Sequence, residues 1–99
     1  MIDIVFWTAD ARADLLELTS YLAKYDPRVA RRAAIRFFNA ANRLAESPAM
    51  GRPGAEPGTR ELSISNWKRV MIYRIMNDRV EVLALRDPRR KSNDEITAG

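Results

Sequence analysis

A proline- and glycine-rich stretch divides this chain of 99 residues into a helical half and a strand half. Residues 47–58 contain three prolines and three glycines, a composition that favours turns and excludes regular structure. Before this stretch, apolar residues recur at helical spacing, and after it they alternate with period two. The sequence therefore predicts one α+β domain over residues 1–91, followed by a polar tail, 92–99, in which we expect partial disorder.

The helical half begins with a short strand. Ile2, Ile4 and Phe6 alternate with other residues, and Thr8 follows as a helix N-cap. The first helix is predicted over residues 9–25. Asp26-Pro27 then ends it and starts a second helix that runs to Glu46, because aspartate caps a helix whose first position suits proline. Two helices with so short a joint must form an antiparallel hairpin.

Helical spacing of the apolar residues also predicts the buried face of each helix. Trp7, Phe37 and Phe38 are expected in the core. In the first helix the stripe comprises Ala11, Leu15, Leu18, Leu22 and Tyr25. In the second helix it comprises Ala30, Ala33, Ala34, Phe37, Ala41 and Leu44.

The strand half reads as a three-strand antiparallel meander that forms one small sheet. Strands are predicted around Leu62 and Ile64, over 69–76 and over 79–86, and Asn77-Asp78 is a two-residue hairpin turn. That turn fixes a register in which residue pairs sum to 155 (Arg74 with Glu81, for example), so Arg69 and Arg86 should lie opposite each other.

Both faces of this hairpin are apolar. The helical hairpin can cover only one of them, so we expect a partner to cover the other. The face assigned to the partner comprises Met71, Tyr73, Ile75, Val80 and Val82. Arg31 and Arg32 of the second helix are either a solvated face or further contacts for acidic residues of that partner.

Positive charge is clustered within a net charge of +4. Residues 28–43 carry five arginines and no acid, and residues 60–91 carry nine basic and four acidic side chains. This pattern favours an acidic or polyanionic partner, and a solvated surface that keeps the protein soluble explains it equally well. The candidate target contacts are Arg69, Arg86, Arg89, Arg90, Lys91 and Trp67. For Trp67 the alternative is an aromatic that packs in the hairpin.

The chain has no cysteine and no histidine, which excludes disulfides, thiolate metal sites and the common zinc ligand. We expect neither a cofactor nor a metal. The first seven residues lack the features of a signal peptide, and no segment approaches the roughly 20 apolar residues of a membrane span. The expected location is the cytoplasm, without a membrane partner.

Seven short segments together resemble ParE-type toxins of the RelE/ParE superfamily, over roughly residues 3–91. In chain order they are Ala11–Leu15, Arg43–Pro48, Met50–Pro53, Arg60–Leu62, Ser65–Trp67, Tyr73–Ile75 and Val80–Leu83. The resemblance implies a type II toxin-antitoxin system, in which a cognate antitoxin forms a hetero-oligomer with the toxin and binds operator DNA itself. ParE-like members imply DNA gyrase as the target, without chemistry of their own.

RelE-like members imply an alternative, which is cleavage of messenger RNA on the ribosome. RNA cleavage needs a group that takes a proton from the attacking hydroxyl, and cations that stabilise the transition state. The alternative catalytic set is Lys68, Arg69 and Arg86, with Tyr73, Arg89 and Arg90 nearby, and it lacks a base because arginine stays protonated. Where many relatives have histidine after the last strand, this chain has Asp87-Pro88. A third hypothesis is a degenerate member that only binds its antitoxin.

Overall fold

Polar side chains start both helices of the hairpin. The computed structural model describes residues 4–89, in which β1 (Ile4–Trp7) precedes α1 (Ala9–Ala23) and α2 (Pro27–Glu46). The Thr8 hydroxyl accepts a hydrogen bond from the Ala11 amide at 3.2 Å, and Asp26 Oδ1 accepts one from the Arg28 amide at 2.9 Å. Both predicted N-caps are confirmed. Helix α1 ends two residues earlier than expected.

The predicted loop is more structured than its composition indicates. It contains a 3₁₀ turn, Pro48–Met50, and a two-residue strand β2, Arg52–Pro53, which pairs with Arg60 and Glu61. The expectation that prolines and glycines exclude regular structure is therefore wrong here. Proline is tolerated in β2 because this strand lies at the edge of the sheet, where no ladder requires its missing N–H.

The sheet adds an N-terminal strand to the predicted meander. Strands β3 (Arg60–Ile64), β4 (Arg69–Ile75) and β5 (Arg79–Arg86) are antiparallel, as predicted. The order is β1-β5-β4-β3-β2, and β1 pairs parallel to β5. Within residues 4–89, the outer backbone edge of β1 therefore has no strand beside it.

The β4–β5 hairpin departs from the predicted register halfway along. Tyr73 pairs with Val82 as expected, but Ile72 pairs with Ala84 and Val70 with Arg86, so Leu83 is an extra residue in β5. Such a bulge shifts every later residue of β5 by one position relative to β4. The side chains of those residues therefore point to the face opposite to the predicted one.

The core lies between the helical hairpin and one face of the sheet. Its members come from both helices and the three longest strands. Of the predicted stripe of α2, Ala30 is buried outside this cluster and Ala34 is half-buried, and the other four residues belong to the cluster. Two expectations are wrong, since Tyr25, in the joint between α1 and α2, and Phe38 on α2 are exposed. In the described part of the chain, neither helix has the length and apolar character that crossing a bilayer requires.

Candidate functional site

The sheet face assigned to a partner is the one that the helices cover. Met71, Tyr73, Val80 and Val82 are fully buried in the core, and only Ile75, at the end of β4, is exposed. These four side chains have no accessible surface in this structure, so the expectation that they form an open docking face is wrong. The physical reason is that the helical hairpin packs on this face, and within residues 4–89 the opposite face is left open.

The open face carries paired charges as well as apolar side chains. Glu81 lies on it with its side chain only 7% exposed, and accepts hydrogen bonds from Arg74 Nε at 2.8 Å and Arg79 Nε at 2.9 Å. The predicted Arg74–Glu81 pair is confirmed. The hydrogen bond from Arg74, followed by that from Arg79, lowers the pKa of the Glu81 carboxyl. Glu81 is therefore an ionised carboxylate shared by two arginines on this face.

Exposed apolar side chains flank the free edge of β1. Ile4 and Phe6 point to the open face, since they pair in register with Arg79 and Glu81, and Phe6 is 48% exposed. On the helix side, the Phe38 ring lies 5.2 Å from that of Trp7 and remains 46% exposed. One helical turn earlier, Ile35 is exposed too. We call Ile4, Phe6, Ile35 and Phe38 the edge patch.

The bulge separates two arginines that the sequence predicted to lie together. Arg86 shares a face with its partner Val70, whereas Arg69 precedes Val70 on β4 and therefore points to the helix side. The expectation that Arg69 and Arg86 lie opposite each other on one face is therefore wrong. Arg86 is exposed and forms no ion pair within residues 4–89.

Arg69 instead belongs to a charged cluster beside α1. Asp87 Oδ2 lies 3.5 Å from Arg69 Nη1, and both carboxylate oxygens lie 3.2 Å from the guanidinium of Arg89. These groups border a cleft of about 310 Å³ that Glu17, Leu18 and Tyr21 of α1 also line. The hydrogen bond from Arg89 is the largest influence that lowers the pKa of Asp87, and the same contact raises the pKa of Arg89.

The remaining predicted contacts are scattered. Trp67 is half-buried with its ring 6.2 Å from that of Phe37, which favours the packing role that the sequence left open. Arg31 and Arg32 are exposed, and neither forms an ion pair within the described residues. Arg90 and Lys91 lie outside those residues, as does the predicted tail.

The candidate catalytic groups are not assembled for proton transfer. The Tyr73 hydroxyl is buried, donates to the Pro48 carbonyl at 2.6 Å and accepts from the Gly51 amide at 2.9 Å. Arg69 is paired with Asp87. Lys68 is exposed at a positive φ of 51° between Trp67 and β4. Among residues 4–89 no three acidic side chains lie close enough together to bind a metal ion.

Comparison with known proteins places this domain in a family. Residues 5–91 match the family described as ParE toxin of type II toxin-antitoxin system, parDE. The chain belongs to the ParE toxin family. The ParE-family chain is 42% identical over 79 residues to Putative toxin Y4kP of Sinorhizobium fredii (strain NBRC 101917 / NGR234). The aligned region covers 80% of this chain and 81% of that protein.

A second relative and a solved structure extend the comparison. Toxin RelE2 of Caulobacter vibrioides (strain ATCC 19089 / CIP 103742 / CB 15) is 44% identical over 48 residues, or 48% of this chain and 54% of the relative. The solved structure of the chromosomal ParDE TA system from P. aeruginosa superposes with a TM-score of 0.77. It covers 87% of this chain and 96% of its own at 24% identity, so it shows the fold. The ParE-family chain is thus a type II toxin, whose system includes an antitoxin.

Proposed function

We propose that this ParE-family toxin inhibits DNA gyrase by binding and catalyses no reaction itself. The supporting observation is the Tyr73 hydroxyl, which is fixed in two hydrogen bonds in the core. The chain contains no histidine, and the other candidates are cations that stay protonated near neutral pH. A general base for ribose activation is therefore missing from the candidate set.

Cleavage of messenger RNA on the ribosome is the alternative, because part of the chain is similar to a protein named Toxin RelE2. One experiment separates the two. Purified protein is added to a gyrase supercoiling reaction and, in parallel, to translating ribosomes with a labelled messenger RNA. We expect loss of supercoiling with intact RNA. Cut RNA with normal supercoiling would establish the alternative, and no effect in either assay would indicate a copy that only binds its antitoxin.

The basic residues at the end of the sheet are the proposed contacts for gyrase. Arg89 is exposed beside the cleft, and Arg86 is exposed on the open face. We expect Arg89→Glu to raise the concentration for half-inhibition at least about tenfold, the loss of about 1.4 kcal/mol of binding. Arg43→Glu changes the charge equally on the exposed side of α2 and is the matched control. Equal losses in the two variants would show an effect of net charge alone.

The antitoxin is proposed to bind at the edge patch. A strand laid along β1 would find unpaired backbone groups there, with Phe6 on one side and Phe38 on the other. Successive side chains of an added strand point to opposite faces of the sheet. We therefore expect the antitoxin strand to carry apolar side chains on both of its faces, where they would contact Phe6 and Phe38. Arg31, one turn before Ile35 on α2, favours a partner segment that carries acidic residues. Operator DNA is contacted through the antitoxin.

Two aspartate substitutions test this position. Phe6→Asp and Phe38→Asp should each weaken binding of the cognate antitoxin by about 30-fold, equivalent to a contact of about 2 kcal/mol. Leu16→Asp on α1 is the control, since Leu16 is also an exposed apolar residue. Dissociation constants from titration calorimetry provide the measurement. Unchanged binding in both variants would place the antitoxin elsewhere on the toxin.

A further inference from the structure

The chain contains the same three-residue clamp twice. In Asp26-Pro27-Arg28 and in Asp87-Pro88-Arg89, the first carboxylate accepts the amide of the third residue at 2.9 Å. In both, the arginine side chain folds back so that Nε and Nη2 each lie 3.2 Å from a carboxylate oxygen. At residues 26–28 the clamp starts α2. At residues 87–89 it lies in the turn that directly follows β5.

The second clamp holds one arginine more than the first. Arg69 Nη1 lies 3.5 Å from Asp87 and also donates to the Trp67 carbonyl at 3.0 Å, so it is restrained from two sides. The Asp87 side chain is 15% exposed, against 33% for Asp26. One partly buried carboxylate thus joins the start of β4 to the turn after β5, at the cleft beside α1.

Two guanidinium groups so close together would repel each other without that carboxylate. With it, both are held in fixed orientations. The Arg89 side chain is 63% exposed at the cleft, and its hydrogen bonds to Asp87 use Nε and Nη2, so a ligand can reach Nη1. Side chains that are already ordered lose less conformational entropy on binding.

We infer that Asp87 is a positioning residue, which holds Arg69 and Arg89 side by side at the cleft so that together they bind a carboxylate of the target protein. This inference rests on the proposed binding function. It adds to the proposed site a negatively charged residue, whose charge is opposite to that of the two arginines. Asp87 acts through the two arginines and does not touch the target's carboxylate, which it would repel.

The substitution Asp87→Asn separates charge from local geometry. Asparagine still accepts the Arg89 amide, since it caps backbone N–H groups as well as aspartate does, but it no longer attracts two guanidinium groups. Asp26→Asn makes the same change in the other clamp and is the matched control. Thermal unfolding of both variants checks that the domain remains folded.

The first measurement is ¹⁵N relaxation of the arginine Nε–H groups in the whole protein. We expect Asp87→Asn to lower the order parameter of Arg89 to that of a free surface arginine. The order parameter of Arg69 should fall less, because Arg69 keeps its hydrogen bond to the Trp67 carbonyl, and Asp26→Asn should affect Arg28 alone. Unchanged order parameters for Arg69 and Arg89 in Asp87→Asn would overturn the inference. This measurement is independent of the target.

The second measurement is inhibition of gyrase supercoiling. The concentration for half-inhibition should rise at least tenfold in Asp87→Asn and stay within twofold in Asp26→Asn. Equal inhibition by the two variants would overturn the binding role of the clamp. Failure of the unsubstituted protein to inhibit gyrase would instead refute the proposed function, and the relaxation data would still decide whether Asp87 positions the arginines.

Discussion

Tyr73 shows how a residue with a chemically useful group can have a structural role. Its ring is buried in the core, and its hydroxyl joins β4 to the turn at Pro48–Met50 through the Pro48 carbonyl and the Gly51 amide. Gly51 fits only because it lacks a side chain, since a Cβ there would lie 2.5 Å from the Glu61 carbonyl oxygen and 2.8 Å from the Tyr73 hydroxyl. The turn is thus fastened to the sheet at one point.

Replacing Tyr73 by phenylalanine tests this role. The variant keeps the ring but leaves the Gly51 N–H and the Pro48 carbonyl without their partner, which should cost about 1–3 kcal/mol of unfolding free energy. Urea denaturation at pH 7 measures it. Tyr21→Phe, which removes an exposed hydroxyl, should change stability by less than about 0.5 kcal/mol. If Tyr73→Phe stays fully stable but loses toxicity, the hydroxyl has a functional role after all.

At the scale of elements, the start of α1 stabilises the bulge in β5. The Thr8 amide donates to the Val82 carbonyl at 3.0 Å, and the Thr8 hydroxyl donates to the Leu83 carbonyl at 3.1 Å. Asp14 Oδ2 accepts the Leu85 amide at 2.9 Å. Backbone groups of β5 that lie beyond its pairing with β1 therefore find partners in the Thr8 cap and in α1, more than 70 residues away in sequence.

Asp14 gives a test of that arrangement. Asp14→Ala should cost about 1–3 kcal/mol, because the Leu85 N–H is left without its acceptor in a partly buried position. Asp14→Asn retains an oxygen that can accept the bond and should lose less than half as much. Hydrogen exchange of the Leu85 amide provides a local measurement, and faster exchange is expected in Asp14→Ala only. Equal exchange rates in the two variants would contradict this role.

Local patterns in the sequence predicted the parts of the fold that are held locally. Thr8 and Asp26 cap helices through neighbouring amides, and Asn77-Asp78 fixes the first three pairs of the hairpin. The Leu83 carbonyl at the bulge is bonded by Thr8, 75 residues away in sequence, and no pattern within the strand reveals such a contact. Because the predicted register lacks this bulge, it places Arg69 and Arg86 on the same face. The choice of sheet face failed for a related reason, because both faces of the hairpin are apolar and alternation alone does not say which one the helices cover.

Candidate site residues missed by the sequence interpretation have weak local signals. Asp87 departs from the pattern of relatives, and the repeated Asp-Pro-Arg triplet is the signal in the sequence that identifies its clamp. Phe6 and Phe38 follow strand and helix patterns of core residues, and their exposure results from the position of β1 at the sheet edge. That position depends on a parallel pairing between residues about 75 apart in sequence.

At the scale of the whole molecule, three carboxylates paired with arginines link stability to pH. Asp26 lies at the helical joint, Glu81 on the open sheet face and Asp87 after β5. In each of the three carboxyls, a hydrogen bond from an arginine is the main cause that lowers the pKa. In the unfolded chain these carboxyls recover ordinary pKa values of about 4. At pH values near 4, the folded state therefore binds fewer protons than the unfolded state.

We expect the free energy of unfolding to be insensitive to these three groups above about pH 5, where they are ionised in both states, and to fall as pH drops through their folded-state pKa values. Glu81→Gln removes the most buried carboxylate of the three and leaves Arg74 and Arg79 without it. The variant should be less stable than the parent at pH 7, and the difference should shrink as the pH is lowered toward 2. Urea denaturation at intervals of half a pH unit measures both curves. A difference that stays constant down to pH 2 would mean that the Glu81 charge does not stabilise the fold and that the loss at pH 7 comes from packing.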